Sequence, residues 1–387
     1  MRKQGSLLFD IIRVLGITVL GALLIVLRYL LKTPQPLESL LPGESRLFKW
    51  THGHVFYKVL GVPDAPSLVL LHAPEIGGSS YEFCALAEQL AQQYHVYALD
   101  LLGFGLSDRP SIHYTGETYT TLCQDFLTQI VLQPAIVVAS GLSCNYAIAL
   151  ATRQPQLCER LVLLSPHALI SDVKQQESVM RVLQQPLLGL CVYSLLTTRI
   201  ILRDIIARQK QVQHISESEL DYIYASSHQL GAHHAVVALL SGHLQRDVSL
   251  YKETLRTPTL LLWGANIASA DWSVAEFYAA NDVIQETLIQ DVGVRPHQEQ
   301  PAEVATHLAQ WRNKGLEVLR YTKEYENISA KEDTMKETNE HVEAYCVKCK
   351  EKRVMKDPTD TTTKNGRSAK TGSCPVCGTK LFRFVGN

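Results

Sequence analysis

The chain has no excess charge of either sign: 37 Lys and Arg stand against 38 Asp and Glu. No global field therefore draws it to nucleic acid or to an acidic substrate. Internal repeats are absent, and the cysteines are not laid out as a disulfide framework. Of the nine, Cys84, Cys123, Cys144, Cys158 and Cys191 are scattered through apolar or helical contexts. Such an odd set reads as reduced core thiols and leans towards a reducing compartment. Only four cysteines are paired, as CVKC (346–349) and CPVC (374–377). No small-residue A-x-A site follows the apolar N-terminus, which argues against a cleaved signal peptide.

What the sequence does have begins with that N-terminus. From Val14 to Leu27 it carries no charge, and the apolar run reaches Leu31 past a single Arg28. A helix over 11–31 would be roughly 30 Å long, the thickness of a bilayer core. Arg28, near its end, can snorkel to the headgroups. A single-pass membrane anchor over 1–34 is expected. Basic residues lie on both sides of the run, so the positive-inside rule barely orients it.

After a Pro-containing spacer, "RLFKW" and "HVFYKVLG" alternate around a His-Gly turn as an antiparallel hairpin. Short apolar runs follow: "SLVLLH" (67–72), "HVYALD" (95–100), "AIVVAS" (135–140), "LVLLSP" (161–166), "TLLLW" (259–263) and "ETLIQD" (286–291). Amphipathic helical patterns separate them, so the fold class is α/β, with a mostly parallel sheet covered by helices on both faces. The gap before "TLLLW" is too long for one crossover and rich in helical patterns. It reads as a helical lid over about 167–255, within a body spanning 45–320. Residues 321–343 are a charged linker, and 344–387 a separate small unit.

Three stretches resemble the α/β-hydrolase superfamily: "LVLLHAPEIGGSSYEF", "VYALDLLGFGLSDRP" and "VVASGLSCNYAIALATRQPQLCERLVLLSP". The resemblance implies an oxyanion loop after one strand, a D-x-x-G-x-G-x-S stretch after the next, and then a nucleophile elbow G-x-S-x-G. It puts Ser143 of Gly141-Leu142-Ser143-Cys144-Asn145 in the nucleophile slot, with the Cys144 backbone N–H as an oxyanion donor. The acid expected after W-G falls on Ile267 of "WGANIASADW". The base of G-H-x-P-H-x-E-x-P falls on Val294 of "GVRPHQEQP", and the oxyanion loop has Pro74, which has no N–H to give. Acid, base and one donor are thus missing together. His297 is the nearest candidate for a relocated base. Asp271, Asp282 and Asp291 are candidate acids by proximity in sequence only, and His233, His234 and His243 read as lid residues.

The two C-x2-C pairs, 24 residues apart, suit four thiolates closing tetrahedrally on a structural Zn2+. Cys346, Cys349, Cys374 and Cys377 are the expected ligands, and a unit of this size could hardly fold without them. It resembles a small bacterial zinc-ribbon domain of unknown function. Between 344 and 387, ten Lys and Arg face three acidic residues, which suits an anionic or protein partner. Its few aromatics speak against sequence-specific nucleic-acid binding.

Two functions compete. The first is a membrane-anchored, α/β-hydrolase-fold protein that is catalytically impaired or non-catalytic, binding a hydrophobic small molecule or serving as a scaffold. The second is a serine hydrolase cleaving a hydrophobic ester or lipid-like substrate through Ser143 with an unorthodox base. The empty acid and base slots favour the first. The thiols and the expected zinc site lean the soluble parts towards the cytoplasmic side.

Overall fold

The computed structural model describes residues 36–166, 185–210, 215–251, 253–265, 281–313, 342–363 and 365–384. The chain divides into two compact units, 1–311 and 312–387.

The first unit is built on an eight-stranded sheet. Its strands are β1 (Glu44–Trp50), β2 (Gly53–Gly61), β3 (Ser67–Leu71), β4 (His95–Leu99), β5 (Ala135–Ser140), β6 (Cys158–Leu164), β7 (Thr259–Gly264) and β8 (Ile284–Ile289). They lie in the order β1-β2-β4-β3-β5-β6-β7-β8. β1 and β2 form the expected hairpin, with Trp50 opposite Gly53. β2 also runs antiparallel to β4, while every pairing from β4 to β8 is parallel.

Parallel strands with both faces covered are apolar at every position, and β3 and β5 are buried end to end. Side chains alternate between two cores. Val69, Leu71, Val137 and Ala139 pack with Phe48, Tyr119, Phe126 and Tyr146 on one face. Leu68, Leu70, Ile136 and Val138 pack with Phe83, Leu86, Leu90 and Trp311 on the other. Each such aliphatic contributes about 1.5–3 kcal/mol relative to an exposed one.

The crossover helices are α1 (Cys84–Leu90), α2 (Gly116–Phe126) and α3 (Ser143–Arg153). A reciprocal Thr115–Thr118 capping box starts α2. Among the described residues, four further helices lie between β6 and β7: α4 (Pro186–Leu196), α5 (Arg199–Lys210), α6 (Glu217–Ser227) and α7 (His233–Leu240). A short turn of helix, α8 (Pro296–Glu299), follows β8, and residues 301–313 are helical. Among the described residues no helix is long and apolar enough to cross a membrane. The apolar run at 11–31 lies outside the described residues.

The second unit pairs β9 (Glu343–Cys346) with β10 (Glu351–Val354), and β11 (Lys356–Thr362) with β12 (Ser368–Ser373) and β13 (Lys380–Phe384). Among the described residues its core cluster is Val342, Ala344, Cys346, Met355, Cys374 and Leu381, with Ala369 also buried. That is too little apolar area to hold a fold of this size alone.

Candidate active site and metal centre

The strand-to-helix turn between β5 and α3 decides what this site can do. An elbow nucleophile sits at the apex of the turn, in a conformation an ordinary side chain resists. Here the apex residue is Gly141, at φ +55°, with its N–H donating to the Leu164 carbonyl at 3.0 Å. Ser143, expected in the nucleophile slot, lies two residues later as the first residue of α3. It is fully buried, and its hydroxyl donates to the His72 carbonyl at 2.6 Å. The placement of Ser143 is therefore corrected, from the apex of the turn to the first residue of α3, and its proton rests on a backbone acceptor.

Cys144 is corrected likewise. Its N–H donates to the Gly141 carbonyl at 3.2 Å inside the turn, so it does not face a developing oxyanion. Asn145, in place of the motif's second glycine, sends its side-chain amide to the Arg246 carbonyl at 3.0 Å.

The loop after β3 is equally committed. The Leu101 N–H donates to His72 Nε2 at 2.9 Å, so Nδ1 carries the proton and donates to the Ala73 carbonyl at 2.8 Å. Burial pushes the His72 pKa down, and the ring is neutral. The Ala73 N–H goes to Glu82 Oε1 at 3.2 Å, and Pro74 has none to offer.

The base loop after β8 is tied down by Glu299, which accepts the Gly293 N–H at 3.0 Å and the Arg295 N–H at 3.2 Å. Val294, half-buried, occupies the expected base position. His297 is buried, stacked against Phe83 with ring centroids 5.1 Å apart, and its Nε2 lies 3.6 Å from Glu82 Oε1. It is thus placed beside Glu82. Ile267 and Asp271 lie outside the described residues. Asp291 adopts φ +57° just beyond β8, and Asp282 precedes that strand, at its opposite end. His233 and His234 begin α7, and burial holds the His233 pKa down at about 4.

Three residues not singled out from the sequence organise the site. Arg295 Nη2 bonds both carboxylate oxygens of Glu75, at 2.5 and 2.6 Å, joining the loops after β3 and β8. Glu82, buried beside them, has its pKa pushed up to about 8, first by burial and then by the Glu75 charge. A charged residue beside the oxyanion loop, as in "HAPE", and another beside the base slot, as in "GVRPH", were the signals available.

The D-x-x-G-x-G-x-S stretch turns out to be architectural. Asp100 accepts the Ser80 N–H at 2.7 Å and the Leu106 N–H at 2.8 Å. Ser107 donates to the Asp100 carbonyl at 2.6 Å and accepts the Phe56 N–H at 2.8 Å. Gly105, at φ +51°, must be glycine because a Cβ there would lie 2.1 Å from Asp100 Oδ2.

Residues 68–307, more than half of the chain, match the family model described as Alpha/beta hydrolase family. The chain belongs to that family. An uncharacterized protein of Mycobacterium tuberculosis is 30% identical over 140 residues, which are 36% of this chain and 40% of that protein. The chain thus spans well under half the length of the curated relatives it matches. A serine hydrolase involved in carbazole degradation superposes with a TM-score of 0.59 at 18% identity, covering 70% of this chain and 99% of the other. Carboxylesterase CesB of Bacillus subtilis gives 0.56 at 20% identity, covering 76% and 97%. At such identities the likeness speaks for the fold alone.

In the second unit, residues 345–384 match the model described as Domain of unknown function (DUF5679). The Cys346, Cys349, Cys374 and Cys377 sulfurs all lie within 4.8 Å of one another. Four thiolates about 2.3 Å from a central zinc would be about 3.8 Å apart, so the donor set and spacing fit a tetrahedral metal. The two knuckles are built alike. The Lys350 N–H closes on the Cys346 carbonyl at 2.8 Å, and the Gly378 N–H on the Cys374 carbonyl at 2.9 Å. The Thr379 hydroxyl lowers the Cys377 pKa to about 6, favouring the thiolate a metal needs.

Proposed function

We propose that the body is a non-catalytic member of its family that binds a hydrophobic small molecule beneath its lid. Residues 1–34 anchor it to a membrane as a single pass, with the soluble parts on the cytoplasmic side. The C-terminal unit is a zinc ribbon whose basic surface docks an anionic or protein partner.

The apex of the strand–helix turn carries the first part of this reading. Gly141 offers no nucleophile there, and the Ser143 hydroxyl is buried on a carbonyl. Val294 offers no base, and the Arg295–Glu75 pair spans the two loops that would serve an ester carbonyl. A serine without a base keeps an alcohol's high pKa, and loss of a base alone costs several orders of magnitude in turnover. Short-chain p-nitrophenyl esters should be cleaved at the rate of buffer, and a fluorophosphonate should leave Ser143 unlabelled. Turnover or labelling that disappears in Ser143→Ala would overturn the reading and make the chain a hydrolase; His297→Ala would then be the next variant to assay.

The anchor rests on the length and apolarity of 11–31. A chain lacking residues 1–34 should leave the membrane fraction, whereas its retention there would mean that the body itself is embedded.

A further inference from the structure

The three-stranded sheet of the C-terminal unit, β11 to β13, has two unlike faces. On one, Leu381 lies opposite Gly372, where an added Cβ would sit 3.0 Å from that of the buried Met355. That face packs on the unit's core, and Arg383, on the same side, donates to the Glu343 carbonyl at 2.9 Å. The other face carries Phe382 opposite Thr371 and Phe384 opposite Ala369. The two rings meet edge to face with centroids 5.1 Å apart, yet the residues are 44% and 58% exposed. Two adjoining open rings form a patch, which a lone surface apolar residue does not.

Cations bracket the rings. Lys356 and Lys380, both exposed, lie opposite Ser373 beyond the Phe382 end. Arg367, also exposed, stands in the turn between β11 and β12, beyond the Phe384 end. Among the described residues, no register-paired position on this face carries a carboxylate, because Asp360 lies opposite Lys370 on the other side. Thr371, and then Thr359 and Thr361 on β11, continue the face with hydroxyls. A lipid surface would have to bury those hydroxyls in hydrocarbon, at a cost in free energy. A duplex would offer the cations its phosphates but leave the rings unused. A single strand supplies both a phosphate backbone and a base face for each ring. Stacking tolerates any base, so two aromatics suffice where sequence-specific readout would need more.

We propose that this face binds single-stranded nucleic acid without sequence preference, with bases stacked on Phe382 and Phe384 and phosphates on Lys356, Lys380 and Arg367. This rests on the reading, given above, of the C-terminal unit's basic surface as a dock for an anionic partner. Fluorescence anisotropy of a labelled oligothymidylate about twelve nucleotides long, titrated with the full chain in non-ionic detergent, tests it. Affinity should fall about a hundredfold for a tenfold rise in salt, as three neutralised phosphates require. Phe382→Leu with Phe384→Leu keeps the face apolar but removes the stacking rings, and should weaken binding about tenfold or more. Phe382→Tyr with Phe384→Tyr should bind as wild type does. Hydrogen exchange over β11 to β13 shows for each variant that the strands persist. A leucine variant as tight as wild type would overturn the proposal. So would a duplex, or a polyglutamate of equal charge, that binds as tightly as the single strand. Phosphatidylglycerol vesicles or polyglutamate binding through Lys356 and Lys380, with no binding of the oligonucleotide, would sink the proposal but leave the anionic dock standing. Failure of every polyanion would remove both.

Discussion

Ala73 joins two buried groups that are both neutral near pH 7. Its carbonyl accepts the His72 ring N–H, and its own N–H goes to Glu82. Glu82 loses its proton near 4.5 in the unfolded chain but only at about 8 in the native one. Between those values the native state binds more protons, so its stability falls as pH rises. His72 works the other way: below about 6.5 the unfolded chain takes up a proton that the buried ring refuses, and stability falls as pH drops. Thermal unfolding from pH 5 to 9 should show the alkaline loss flattened in Glu82→Gln, with any acid-side loss retained. A Glu82→Gln profile parallel to wild type would refute the raised carboxyl. Ser143 is judged on the same scale. Its hydroxyl satisfies a buried carbonyl, so Ser143→Ala should cost about 1–2 kcal/mol in denaturant unfolding. A larger change in activity than in stability would contradict its structural role.

At the scale of elements, the sheet was legible because its strands are continuous apolar runs; β5 ends on the residues of "AIVVAS". β8 begins two residues before "ETLIQD" and ends at Ile289. The elbow was misread for a physical reason. The G-x-S-x-G pattern directs attention to a serine, whereas the fold requires a residue that tolerates positive φ at the end of β5, and that residue is Gly141. The motif matched most closely, Asp100 to Pro110, was legible as family resemblance but not as architecture, since its hydrogen bonds join residues up to 54 apart in sequence. Gly105→Ala tests that architecture. The new Cβ would be forced into the Asp100 carboxylate at a left-handed backbone position, and the Ser80 and Leu106 N–H groups would lose their acceptor. A loss of roughly 2–5 kcal/mol in denaturant unfolding is expected. A variant as stable as wild type would show that the turn can be re-formed around a side chain.

At the scale of the whole molecule, the two units owe their stability to different causes. The body buries an eight-stranded sheet between two large cores. Among its described residues the C-terminal unit has seven buried apolar residues, two of them cysteines of the sulfur cluster, so a bound metal would supply much of its folding free energy. That was legible in the sequence because C-x2-C spacing fixes two sulfurs on one knuckle, and two knuckles make a tetrahedron. Purified protein should therefore carry about one zinc per chain. A strong chelator should remove it and collapse the strand signals of residues 342–384 in hydrogen exchange. The body should keep its protection, because it has hydrophobic cores of its own. Cys349→Ser should reproduce the chelated state without chelator, and a body that melts earlier in the variant would show that the units are coupled. Metal analysis finding no zinc, with all four sulfurs in disulfides, would remove both the metal centre and the argument from thiols for the cytoplasmic side.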